Sequence, residues 1–233
     1  MKYYILLLAP LLSSVNSYSQ VGIVESQVKA NSYVGAEVYQ IPVRKGSLVG
    51  TPYLEDNWLI GNVFLKKGGS ITNTPIKYDI QNQQVLFRET ERVMLVKLNY
   101  VDSFNILMAS GKYLDFIINR SWILEGKDAS GVYEKLTSFG KYGLLKKHEV
   151  IIIKANYNVA LNAGEKDDRF EKEYKLYFLK KENNELTEVP NSRKKVGFFF
   201  NDEKVVDYIK KNKIDVKHES GLIELIEYIN SNL

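Results

Sequence analysis

From about residue 48 to residue 181, apolar residues alternate with polar ones in short runs, and turn-forming residues separate the runs. A period of two is what a β-strand with one buried and one solvated face requires, because successive side chains point to opposite sides of the sheet. A chain patterned this way folds as an antiparallel sheet with short connections. Residues 58–65 form the first such run, and Lys67-Gly68-Gly69-Ser70 supplies glycines that tolerate positive φ in a hairpin turn. Ile76, Tyr78 and Ile80 share one face of the next strand, with Lys77 and Asp79 on the other. Gln81-Asn82-Gln83 turns the chain into 85–89, and Thr90-Glu91 bends it into 92–98. Further runs lie at 104–108, 113–118, 122–124, 132–136, 143–147, 149–158 and 173–180, each read as an up-and-down strand. About ten strands suffice to close a barrel or to pack two sheets face to face.

After Pro190 the period changes to three and four residues. Asn191 or Ser192 caps a short helix through Phe199, Asn201 or Asp202 caps a second through Lys213, and Ser220 starts a third through Ile229. Val205, Val206 and Ile209, then Leu222, Ile226 and Ile229, form apolar stripes that must be buried on the sheet or across its open end. The expected class is α+β: a mainly antiparallel β meander, as a curved sheet, half-barrel or sandwich, with two or three C-terminal α-helices. The β domain spans 20–190 and the helical segment 191–233.

Met1-Lys2, an apolar run over 3–12, and Ser17 and Ser19 at the −3 and −1 positions read as a signal peptide removed after residue 19. The run is shorter than the ~20 residues that cross a bilayer, and Pro10 interrupts it. The expected location is therefore periplasmic or secreted, with no transmembrane segment in the mature chain. The sequence has 0 Cys, which removes disulfides, thiolate metal sites, cysteine nucleophiles and a lipidated cysteine. The net charge of +4 is dispersed among acidic neighbours, as in Lys180-Lys181-Glu182, and gives no nucleic-acid footprint.

Several stretches carry a family resemblance: Pro52-Tyr53-Leu54 with Gly61, Pro75-Ile76-Lys77-Tyr78-Asp79-Ile80, Gln84-Val85-Leu86-Phe87, Phe104, Gly140-Lys141-Tyr142-Gly143-Leu144-Leu145-Lys146-Lys147, and Tyr174-Lys175-Leu176-Tyr177-Phe178. Lys204, Ile209-Lys210-Lys211-Asn212-Lys213 and the final helix over 222–230 extend it. Together they resemble an uncharacterised group of exported β-rich proteins common in Bacteroidetes-type bacteria. The resemblance covers nearly the whole mature chain and implies export and architecture. It carries no assigned activity.

The chain offers two histidines, His148 and His218, both read as solvated or structural. It contains no Gly-x-Ser-x-Gly elbow, Walker loop, dinucleotide fingerprint or EF-hand spacing. No catalytic residue, cofactor or metal is therefore assigned. Tyr53, Glu55, Asp56 and Trp58 are the candidate ligand-binding residues, because aromatic faces stack on sugar rings while carboxylates accept hydroxyl hydrogen bonds. The alternative for them is a strand-leading loop with an aromatic entering the core. Glu165, Asp167 and Asp168, with Asn158 and Asn162, resemble a calcium loop in composition only and are read as a solvated hairpin tip. Phe198, Phe199 and Phe200 cannot all face one core from a helix. They are read as helix–sheet packing, with a contact patch as the alternative.

The leading functional expectation is an exported binding or assembly protein of the cell envelope, contacting a protein, a glycan or a lipid. A periplasmic carrier of an apolar ligand and a secreted carboxylate-dependent hydrolase stand as alternatives. Edge strands of an open sheet expose unpaired backbone groups, so a homodimer through a sheet edge, or coverage by residues 21–49, is also expected.

Overall fold

The computed structural model describes residues 38–40, 48–158 and 161–233. The signal-peptide reading of 1–19 and most of the extended reading of 21–49 lie outside them. The elements in chain order are β1 (Val38–Gln40), β2 (Leu59–Leu65), β3 (Ser70–Asp79), β4 (Gln84–Glu89), β5 (Arg92–Val96), β6 (Val101–Leu107) and β7 (Tyr113–Asn119). Then come β8 (Ile123–Leu124), β9 (Lys127–Asp128), β10 (Gly131–Lys135), β11 (Tyr142–Ile153), β12 (Arg169–Lys180) and β13 (Glu185–Glu188). Helices α1 (Arg193–Phe200), α2 (Glu203–Lys211) and α3 (Glu219–Asn232) complete the chain. Among the described residues the fold is α+β: one curved, open, mostly antiparallel sheet of 13 strands with three C-terminal helices. The strand order is β1-β5-β4-β3-β2-β6-β7-β10-β11-β12-β13-β8-β9.

The sheet curls sharply between β3 and β7. These strands are three spacings apart, about 14 Å in a flat sheet, yet the rings of Tyr78 on β3 and Phe116 on β7 are 5.5 Å apart. Phe104 on β6 lies 5.4 Å from Tyr78 and stacks on Phe116 at 4.7 Å and 7°. Gly61 on β2 makes this closeness feasible, because a Cβ there would sit 2.3 Å from both the Asn105 carbonyl oxygen and Ile76 Cδ1. Gln83 in the β3–β4 turn ties the two ends of the curl together. Its Nε2 donates to the Ile80 carbonyl at 2.8 Å, and its Oε1 accepts from Val132 N–H of β10 at 3.2 Å.

Three packed clusters follow from the pattern. The concave face of β2–β7 is filled by Ile76, Tyr78, Phe87, Phe104 and Phe116 with their neighbours. One face of β11 and β12 presents Tyr142, Leu144 and Phe178 to Val196 and Phe200 of α1, Val205 and Ile209 of α2, and Leu222, Leu225, Ile226 and Ile229 of α3. The opposite face presents Tyr133, Leu145, Tyr177, Leu179 and Leu186 to Trp122. Each fully buried aliphatic or Phe side chain contributes about 1.5–3 kcal/mol, so the helices are anchored on the sheet by their apolar stripes.

Some expectations are corrected. Runs 143–147 and 149–158 are one strand, β11, paired residue for residue with β12 from Tyr142↔Lys180 to Ile153↔Arg169. The charged interruption at Lys146-Lys147-His148 is accommodated by ion pairing rather than by a turn. Residues 122–124 do not continue the meander, because β8 pairs in parallel with β13. Asn119 redirects the chain there: its Oδ1 accepts from Ser121 and Trp122 N–H, and its Nδ2 donates to the Ala129 carbonyl. Strand β13 escapes the alternation rule, since Leu186 is its sole buried residue. Asp79 is buried rather than solvated, its carboxylate accepting from Asn82 N–H at 3.0 Å and Asn82 Nδ2 at 2.7 Å.

Ser192 and Asp202 cap α1 and α2 with their side chains. Helix α3 starts at Glu219, one residue earlier than expected, with His218 at its cap. The His218 ring instead contacts Asp215 at 2.7 Å. Helix α2 stops at Lys211, two residues before the expected Lys213, which adopts positive φ.

Candidate functional site

The segment before β2 runs alongside β3: Leu54 N–H donates to the Tyr78 carbonyl, and Ile80 N–H donates to the Pro52 carbonyl. This places Tyr53 and Trp58 around Lys77, which projects from the outer face of β3. Lys77 Nζ lies 4.8 Å from the Tyr53 ring centre and 5.5 Å from that of Trp58. Arg88 covers Trp58 at 4.6 Å. Lys77 also donates to the Asp56 carbonyl oxygen. The Asp56 carboxylate accepts from Thr51 Oγ1 and lies 3.4 Å from Lys172 Nζ of β12. The Thr51 hydrogen bond, aided by Lys172, holds that carboxyl below its usual range. Burial, with the repulsion of Arg88 and Lys172, lowers the Lys77 ammonium.

Tyr53, Asp56 and Trp58 are thus brought together, with Glu55 exposed beside them. Trp58 does not enter the core; it is half-buried and stacked against cations. Cation–π contacts already engage both candidate stacking rings.

The acidic hairpin tip uses its polar groups on itself. Asp168 accepts from Lys154 Nζ at 2.7 Å and from Ala155 N–H at 2.8 Å, and these two contacts lower its carboxyl. Asn156 Oδ1 accepts from Glu165 N–H, and Asn162 Oδ1 accepts from Tyr157 Oη.

A charged seam, absent from the sequence-derived candidates, lies between the β2–β7 core and the helix-covered core. On β10, Glu134 stands between Val132 of the first core and Leu136 at the second; on β11, Lys146 and His148 stand between Leu144 and Val150. Glu134 Oε2 is 2.7 Å from His148 Nε2 and 3.6 Å from Lys146 Nζ, and Lys146 continues to Glu219 of α3 at 2.7 Å. Burial opposes ionisation of Glu134, but His148 and Lys146 outweigh it and lower its pKa. The findable signal was a carboxylate in phase with Val132 and Leu136.

Helices α1 and α2 meet at Gly197, where a Cβ would be 3.1 Å from Val206 Cγ2. This contact leaves an apolar groove on the outer side, with a cavity of about 510 Å³ lined by Gly197, Phe198, Val206 and Ile209 and flanked by Arg193, Lys194 and Lys210. The three phenylalanines divide as helical geometry demands. Phe200 is buried, Phe199 stacks on Phe178 at 5.0 Å, and Phe198 is 68% exposed over the groove, with Lys194 Nζ 5.7 Å from its ring centre.

Among the described residues, no helix is long and apolar enough to cross a membrane. No family model, curated protein or solved structure matches the chain.

Proposed function

We propose that this chain is an exported binding or assembly protein of the cell envelope, and that its contact surface is the outer face of α1 and α2. The exposed Phe198 ring carries the reading. A large aromatic held 68% exposed over an apolar groove is the composition of an interaction surface, and aromatic anchors dominate binding energy. The groove sits on helices locked to the sheet by their buried faces, so the surface is preorganised. The leader pattern of residues 1–19 supports export.

The alternatives draw less from the geometry. Tyr78, Phe104 and Phe116 fill the concave face on which a carrier would hold its ligand. A glycosidic general acid needs a raised pKa, whereas Asp56, Asp168 and Glu134 are all lowered.

A photoreactive amino acid at position 198, compared with one at Tyr113, an exposed position on β7, tests the reading in intact envelopes. A discrete adduct from 198 that is absent from 113 is expected. Equal labelling from both positions, or none from 198, would overturn it.

A further inference from the structure

We infer that the α1–α2 groove receives the same groove of a second copy of this chain, giving a two-fold dimer centred on Phe198. This rests on the reading of that face as the contact surface and names its occupant.

Asn201 takes a left-handed conformation at the end of α1 and Asp202 caps α2, so the end of α1 lies beside the start of α2. Arg193 and Lys194 consequently lie at one end of the groove, in the 510 Å³ depression. At the other end, a depression of about 420 Å³ is lined by Asp202, Glu203 and Asp207. The two depressions share Gly197, Phe198, Val206 and Lys210, so one continuous strip, with Lys210 along its side, runs from the Arg193–Lys194 end to the Asp202–Glu203–Asp207 end.

A partner of uniform charge matches only half of such a surface. A second copy related by a two-fold axis through the strip reverses its direction, and the basic end of each groove then faces the acidic end of the other. An isologous interface requires this self-complementarity, and opposed charge across an interface fixes register and excludes like-on-like docking. The shape has the same property. Phe198 is a projecting ring, and beside it Gly197 offers no side chain, so Phe198 of each copy can cover the Gly197–Val206 hollow of the other. Among the described residues the edge strands are short, three residues in β1 and two in β9.

Sedimentation velocity on the full chain, from about 1 to about 200 μM, tests the inference together with the cross-link at position 198. A concentration-dependent dimer and an adduct of twice the chain mass are expected. Phe198→Asp should sediment as a monomer throughout. Lys194→Glu and Asp207→Lys should each weaken association about tenfold, and the double variant should restore it to within about threefold. All three side chains are exposed, so unchanged melting curves confirm that the variants fold.

A wild-type monomer over the whole range, a dimer that survives Phe198→Asp, or a double variant weaker than either single one would overturn the dimer. An adduct of a different mass at position 198, with a monomeric chain, overturns the second copy as occupant but leaves the contact-surface reading standing. Absence of both adduct and dimer removes both.

Discussion

The side-chain amide of Asn230, near the end of α3, pairs with both backbone groups of Tyr142, the first residue of β11. Tyr142 N–H donates to Oδ1 at 3.0 Å, and Nδ2 donates to the Tyr142 carbonyl at 2.8 Å. The amide takes the place of a neighbouring strand at the point where the sheet begins to carry helices. Gly140 makes room for it, since a Cβ there would meet Asn230 Cγ at 2.6 Å. Asn230→Ala leaves the Tyr142 N–H unpaired and the Tyr142 carbonyl with only the longer 3.4 Å bond from Gly140 N–H, at a residue only 8% exposed. It should cost about 2 kcal/mol in urea unfolding at unchanged m. A loss below about 0.5 kcal/mol would mean that water replaces the amide.

Gly61→Ala tests the curl of the sheet. Its backbone φ is not positive, so the cost is steric: the new methyl group would lie 2.3 Å from the Asn105 carbonyl oxygen of the adjacent β6. Separating β2 from β6 also disturbs the packing of Phe104. A loss of about 3 kcal/mol is expected, lowering the melting temperature by about 6–12 °C in a domain of this size. An unchanged melting temperature would show that the sheet opens freely at this point.

Among the described residues, none meets the buried Tyr78 hydroxyl in hydrogen-bond geometry, and burial pushes its pKa far above the ordinary phenolic value. The Gln83 amide acts on it from outside hydrogen-bond geometry. Tyr78→Phe removes an unsatisfied polar atom and keeps the ring contacts with Phe104 and Phe116. It should raise stability by about 1 kcal/mol. Destabilisation instead would identify an ordered water on the hydroxyl.

Glu134 makes stability depend on pH in a stated direction. Its folded pKa lies below the ordinary glutamate value of about 4.3, so the unfolded chain binds the proton more readily. Its contribution is complete above that value and is lost as pH falls through the folded one. Glu134→Gln should cost about 2 kcal/mol at pH 7, and the gap to wild type should narrow as pH falls below the ordinary glutamate value. A gap that stays constant from pH 3 to pH 8 would assign the residue a packing role alone.

Local pattern made much of this molecule legible. Alternation at Ile76, Tyr78 and Ile80 placed the buried face of β3, and the pairs Asn191-Ser192 and Asn201-Asp202 marked the starts of α1 and α2 to within one residue, because both signals act within a few residues. The division of Phe198, Phe199 and Phe200 followed from the turn angle of a helix. By contrast, nothing local in Trp58 said that Arg88 would stack on it, and nothing in Asn230 said that it would pair with a backbone 88 residues away.

The amino-acid order by itself determined that this chain is a series of amphipathic strands followed by amphipathic helices, since the two periodicities are properties of neighbouring residues. The tertiary structure alone decided that β8 pairs in parallel with β13, that Glu134, His148, Lys146 and Glu219 join two cores, and that the groove beside Phe198 is basic at one end and acidic at the other. Those features arise where distant segments meet. Which charge faces which there depends on strand register and helix direction, and both are set by burial summed over the whole chain.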